Sequence, residues 1–221
     1  MRFRLIYQGE LKSRQSDPTT GQRDRLAGHK QDIRKEFHLQ LKHLWSTNKF
    51  LRDHKIQVSN RVTSQPIAKT FDRLEIWDDQ PIPMVDHIAN QYRENGYRFV
   101  PLVRKELSLL CSLNILFLRR DIPGSVLSAG DLDNRVKTLV DTLRRPKSAN
   151  ELQGNETPGA DEDPFFVLLE DDDLVSQISV ETDTLLIPPS GNADADRRQV
   201  CLVITVELKP YDVTMFNLSF S

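Results

Sequence analysis

The sequence predicts an α+β fold, a mixed sheet packed with helices. Three observations predict it. Val200, Leu202, Ile204, Val206 and Leu208 recur at every second residue, the period of a strand with one buried face. Leu109, Cys111, Leu113, Ile115 and Phe117 form a second such face, and Leu110, Leu116 and Leu118 make its reverse side largely apolar too, so this run reads as a central strand. Leu132, Val136, Leu139, Val140 and Leu143 are spaced as one stripe of a helix.

The remaining elements follow in order. Residues 2–11 read as a first strand, and 12–22 as a loop carrying Asp17-Pro18 and Thr20-Gly21. A helix is expected from about Arg23 to Leu51, with Leu26, Ile33, Phe37, Leu41, Leu44 and Trp45 as its apolar stripe and Gly28 weakening its first turns. A short strand is expected within Ile56–Ala68, a loop over 78–83, and a short helix over Val85–Asn95 closed by Gly96. The whole stretch of about 55–105 reads as an insertion between the first helix and the central strand. After the central strand come a loop (119–130), the Leu132 helix ended by Arg144-Arg145-Pro146, and a flexible loop over about 146–163. The apolar run Phe165–Leu169 then leads through Glu170–Asp173 into a strand near Leu174–Leu186, a turn at 188–196, and the last strand at 200–209. One domain spanning 1–221 is expected, its core in about 1–50 and 106–209.

Composition narrows the class. A 38% hydrophobic, 28% charged chain has an ordinary polar surface. No run approaches the roughly 18 apolar residues of a membrane span, and Met1–Tyr7 has no apolar run of signal-peptide length, so no membrane is expected. Cys111 and Cys201 lie in apolar runs and read as buried free thiols, which suits a reducing, cytoplasmic location. The net charge of −2 conceals a split: residues 1–70 hold 15 of the 30 Lys and Arg but only 6 of the 32 Asp and Glu. Such a split suits phosphate contacts from the first part and cation binding in the rest, although a solvated basic helix would look the same. The histidines show no zinc spacing, and Trp45 and Trp77 read as core or partly buried anchors.

The chemistry-bearing residues are acidic. Asp131 and Asp133 stand where a loop becomes a helix and can direct both carboxylates to one side. Lys137 shares the helix face of Asp133. Glu170–Asp173 opens another strand about 40 residues later. Convergent carboxylates suit magnesium, which takes oxygen ligands and retains waters. The plain alternative is that Asp131 or Asp133 caps the helix and the acidic run is a solvated turn; the spacing leaves both open.

Gly130-Asp131-Leu132-Asp133-Asn134-Arg135-Val136-Lys137, followed by Asp141 and Leu143, resembles the D-L-D-N-x-x-K-x-x-x-D-x-L helix of RusA-family Holliday-junction resolvases. Val167–Val175 resembles that family's short strand ending in acidic residues, and the similarity extends over roughly 106–209. The resemblance implies a magnesium-dependent endonuclease, with manganese as a substitute, acting on four-way junctions or other branched DNA as a homodimer. It implies Asp131, Asp133 and Asp172 as metal ligands, with Asp171 or Asp173 as register alternatives, and Lys137 as the catalytic lysine. The basic run that the family tends to carry before this motif is absent, since Val126–Gly130 holds no Lys or Arg. DNA contacts are therefore expected from Arg23, Arg25, Lys30, Arg34 and Lys35 on the first helix. The acidic balance and the missing basic run also motivate a second reading, a RusA-like module that binds DNA or protein, in a mobile-element or defence system, without cutting.

Overall fold

The computed structural model describes residues 1–13, 25–56, 81–120, 131–152, 157–188, 198–214 and 217–220. Arg23, Trp77, and most of the loops expected at 12–22, 119–130 and 188–196 lie outside the described residues, as does most of Ile56–Ala68. In chain order the elements are β1 (Arg2–Glu10), α1 (Ala27–Thr47), α2 (Lys49–Asp53), β2 (Lys55–Ile56), β3 (Ile82–Pro83), α3 (Met84–Gln91), β4 (Arg93–Glu94), β5 (Tyr97–Val103), β6 (Leu109–Arg119), α4 (Asp131–Leu143), β7 (Phe165–Leu169), β8 (Val175–Thr184) and β9 (Gln199–Pro210). The fold is α+β, as expected.

Two sheets organise it. The larger has strand order β1-β9-β6-β8; its pairs are antiparallel except the parallel β6–β8 pair. β6 is central because both its faces carry apolar residues. Leu113, Ile115 and Phe117 meet Val206, Ile204 and Leu202 of β9 across the pairing, and Leu5 and Tyr7 of β1 extend the same buried rows. The smaller sheet has order β4-β5-β7, with β5 and β7 parallel. All five residues of β7 are buried, which explains why Phe165–Leu169 is a continuous apolar run rather than an alternating one.

Two expectations are corrected here. The helix expected to run to Asn95 ends at Gln91. Arg93–Glu94 instead pairs with Tyr97–Arg98, and Asn95 and Gly96 form the two-residue turn between them, both with φ in the left-handed region (49° and 81°). Asn-Gly is the residue pair such turns favour, because both central positions need positive φ. The expected insertion also ends too late. Tyr97–Val103 is a core strand beside β7, with Phe99 facing Phe165 and Val100 facing Phe166.

α1 has two buried sides. Ile33, Phe37, Leu41 and Trp45 form the expected apolar stripe. Lys30, Gln31, Arg34 and His38 form a second, polar side that is equally buried. His38 ties this side to β7: Phe166 N–H donates to its Nδ1 at 2.8 Å, its Nε2 lies 3.1 Å from the Asp161 carbonyl, and its ring stacks on Phe165. Those partners fix the neutral ring with the proton on Nε2. The free edge of β1 is covered by α1, because the Gln40 amide exchanges hydrogen bonds with Ile6 N–H and C=O at 2.9 and 2.7 Å. No helix among the described residues is long and apolar enough to cross a membrane.

Burial lowers the pKa of His38, and Lys42 adds to this, against the opposing pull of the Asp161 carbonyl and Glu162. Burial, with Lys12, does the same at His29. A histidine that resists protonation when folded contributes stability that is present above its ordinary pKa and is lost as pH falls through the folded value. Urea unfolding followed from about pH 7 to about pH 5 is therefore expected to show falling stability, at most about 1.4 kcal/mol per pH unit for each such histidine. A His38→Gln variant is expected to be less stable at neutral pH and to show a shallower slope; an unchanged slope would remove His38 as its source.

Candidate functional site

α4 is held in place by a charged seam. Lys30, only 6% exposed at its side chain, pairs with Asp141 at 2.5 Å. Arg34 donates to the carbonyls of Asp141 (3.0 Å) and Arg144 (3.2 Å) and to Gln31 Oε1. Arg144 reaches back to Asp141 at 3.5 Å and pairs with Glu151 at 2.9 Å. Leu132, Leu139 and Leu143 fill the core beneath. The stripe predicted for this helix is thus the seated side, and Asp133 and Lys137 point the other way.

At the opening of the helix, Asp131 is the first helical residue; its side chain lies outside the described residues. Asp133 and Lys137, one turn apart, pair at 2.8 Å with both side chains 69% exposed. The exposure leaves this pair accessible to a solvent ion or a phosphate.

At the other end, the chain leaving α4 is stitched to the end of β7: Arg145 N–H donates to the Leu169 carbonyl at 3.0 Å. The acidic run begins there. Glu170 N–H donates to Val103, and the Glu170 carboxylate accepts from Lys105 N–H at 3.0 Å. Asp171 caps a single 3-10 turn at Asp172–Leu174, accepting from Asp172 N–H at 2.7 Å. Lys147 bridges Asp171 (2.6 Å) and Asp172 (3.2 Å), while Lys105 holds Asp173 at 2.8 Å. Hydrogen bonding with Asp172 first, and then with Lys147 against an opposing effect of burial, holds the Asp171 carboxyl well below the usual carboxylate range. Asp171 is occupied as a cap and Asp173 by Lys105. Asp172, paired with Lys147, and Asp173 are about half exposed, at 46% and 56%.

The predicted ligands therefore sit at two places. Asp133 stands at the opening of α4 with Lys137, and Asp172 stands at its exit with Lys147. About 15 Å of helix axis separates Asp133 from Leu143 at 1.5 Å per residue. Among the described residues no hydrogen bond or ion pair joins the two carboxylates, and these residues contain no group of three His, Cys, Asp or Glu arranged to hold a metal. The donor chemistry, carboxylate oxygen throughout, suits a hard cation such as magnesium.

No family model, curated protein or solved structure matches the chain.

The expected DNA contacts divide in the same way. Arg25 is exposed before α1. Lys35 is partly exposed and pairs with Glu162 at 3.1 Å. Lys30 and Arg34 are corrected: both are buried, 4% and 0% exposed, against α4, and cannot face a DNA backbone from there. Sequence reasoning missed their role because their partner, Asp141, lies more than 100 residues away. The available signal was their spacing with His38, which repeats every four residues along one side of α1.

Removing the Asp141 carboxylate leaves Lys30 buried without its ion pair. Asp141→Ala is expected to lower stability by about 3 kcal/mol or more, measured by urea denaturation, because breaking a buried pair strands the remaining charge. A loss within the ordinary range of surface substitutions, about 0.5 kcal/mol, would contradict the seam's importance.

Proposed function

We propose that the chain is a magnesium-dependent endonuclease of branched DNA, similar to RusA-family resolvases, with Asp131 and Asp133 as metal ligands; Asp172, the third ligand the resemblance implies, stands at the other end of α4, out of reach of the same ion within one chain. The observation that carries this reading is the solvent-open Asp133–Lys137 pair at the start of a helix whose other faces are locked to α1 and the core. Locking the helix and exposing the Asp133 carboxylate is what a preorganised cation site requires. A bound divalent ion would supply an acidified water and neutralise the scissile phosphate. Asp133 would exchange its ion pair with Lys137 for that cation. Lys137, freed on the same face, would offer its ammonium to a phosphate oxygen. Two copies of the chain would match the two-fold symmetry of a four-way junction.

A second reading is favoured by a specific observation. Lysines already neutralise both carboxylate clusters, and two of the expected DNA-binding residues are buried. On that reading the chain binds branched DNA or a protein and does not cut.

The deciding assay is cleavage of a synthetic four-way junction against linear duplex, with magnesium, with manganese and with chelator. The nuclease reading expects metal-dependent nicking of the junction that falls to background in Asp133→Asn, with the far-UV spectrum unchanged. Asp172→Asn is expected to cut at the rate of the parent chain; loss of cleavage in that variant with the fold intact would return Asp172 to the ligand set. Cleavage by Asp133→Asn at the rate of the parent chain would sink the nuclease reading, and junction binding without cleavage would establish the second.

A further inference from the structure

One face of the larger sheet packs the core; on the other, Arg4, Ile6, Asn114, Ser179 and Glu181 are exposed. The register fixes which residues share that second face. Ile6, Val203, Leu116 and Glu181 form one row across β1, β9, β6 and β8, and Gln8, Cys201, Leu118 and Asp183 form the next. Arg4, Thr205, Asn114 and Ser179 form a third row, and Arg2, Glu207, Ser112 and Gln177 a fourth. Ile6 is 54% exposed, and Val203, Cys201, Leu116 and Leu118 are half-buried although they occupy central positions. A sheet face whose apolar middle is only half-buried is a surface looking for a partner.

Its margins state which partner. The β1 margin is basic, with Arg2 and Arg4 exposed. The β8 margin is acidic, with Glu181 and Asp183 exposed. Arg2 already pairs with Glu207 of its own sheet at 3.2 Å, which leaves Arg4 as the outward cation. When two such sheets stack face to face about a two-fold axis along the strands, the β1 margin of each copy lies over the β8 margin of the other. Basic then meets acidic twice, and Val203, Leu116 and Leu118 of the two copies meet in the middle, β9 over β6. We propose that this face is a self-complementary interface at which a second copy of this chain docks. The proposal rests on the reading above only in taking two copies as the working unit; that reading says nothing of where they meet.

The size of the face sets the strength. Four strands about 4.8 Å apart and some seven residues long cover about 20 by 25 Å. That is toward the lower end of specific interfaces, so association in the micromolar range is expected. The outer edge of β8, which has no strand partner among the described residues, is the competing route to a pair of chains. Its own carboxylates discourage strand-to-strand pairing, and that mode would make no use of Arg4.

Sedimentation velocity across the micromolar range, at low and high salt, tests the proposal. The 25.5 kDa chain is expected to associate to twice its mass, more weakly at high salt. Arg4→Glu is expected to weaken association by about tenfold or more, and adding Glu181→Arg and Asp183→Arg to that variant to restore it. Val203→Asp is expected to give a monomer with an unchanged far-UV spectrum. A monomer at every concentration would overturn the proposal. So would a dimer whose affinity ignores both Arg4→Glu and Val203→Asp, since that would locate the contact elsewhere. The nuclease reading fails independently: a chain that pairs through this face and leaves junctions intact keeps the interface and loses the nuclease, and a chain that cuts junctions but pairs through another surface does the reverse.

Discussion

The ion pair between Lys30 and Asp141 is the constraint on which the rest of the arrangement depends. A lysine ammonium at 6% exposure is tolerable only while its carboxylate stays in reach. That requirement fixes the distance between α1 and α4 and the rotation of α4 about its own axis. Arg34 reinforces it by capturing the carbonyls of Asp141 and Arg144, groups that the end of a helix would otherwise leave without internal partners. With the helix rotation set, Leu132, Leu139 and Leu143 face the core, and Asp133 and Lys137 have no option but to face solvent. The exposed ion pair is thus a consequence of a buried one.

The same constraint orders the far end. Because α4 ends against β7 through Arg145 and Leu169, the acidic run leaves the sheet beside the exit of the helix, within reach of Lys147. Each carboxylate of Asp171–Asp173 then finds a lysine or a backbone N–H. An acidic run that would repel itself in isolation becomes a fixed turn leading into β8. His38 supports this from the other side of β7. Its neutral ring joins α1 to Phe166, three residues before the end of that strand.

Much of this was legible in the sequence where the physics is local. The period-two faces of β6 and β9 and the stripe of α4 are dictated by burial on known periods, and each appears where the pattern puts it. The Asp131–Asn134 opening and the Glu170–Asp173 run were visible as acidic clusters at element boundaries. What the pattern did not convey is non-local. β5 hid within a presumed insertion because its partner β7 follows more than 60 residues later. Asn95-Gly96 is a hairpin signal, but the flanking strand β4 is only two residues long and the preceding helical residues masked it. Lys30 and Arg34 looked like a solvated basic face, since hydropathy reports how a side chain prefers water and not whether a carboxylate waits across the core. For the site, the sequence placed the acidic residues in the right elements and did not convey that Asp133 and Asp172 lie against different lysines at opposite ends of one helix.

The central claim is that the opening of α4 is where a divalent cation binds. Manganese titrated into isotope-labelled protein tests it directly, because the paramagnetic ion broadens amide signals only near its seat. The account predicts selective loss of the amide signals around Leu132–Lys137 at low metal ratios. Broadening confined to the acidic run, or spread evenly over surface carboxylates, would contradict it.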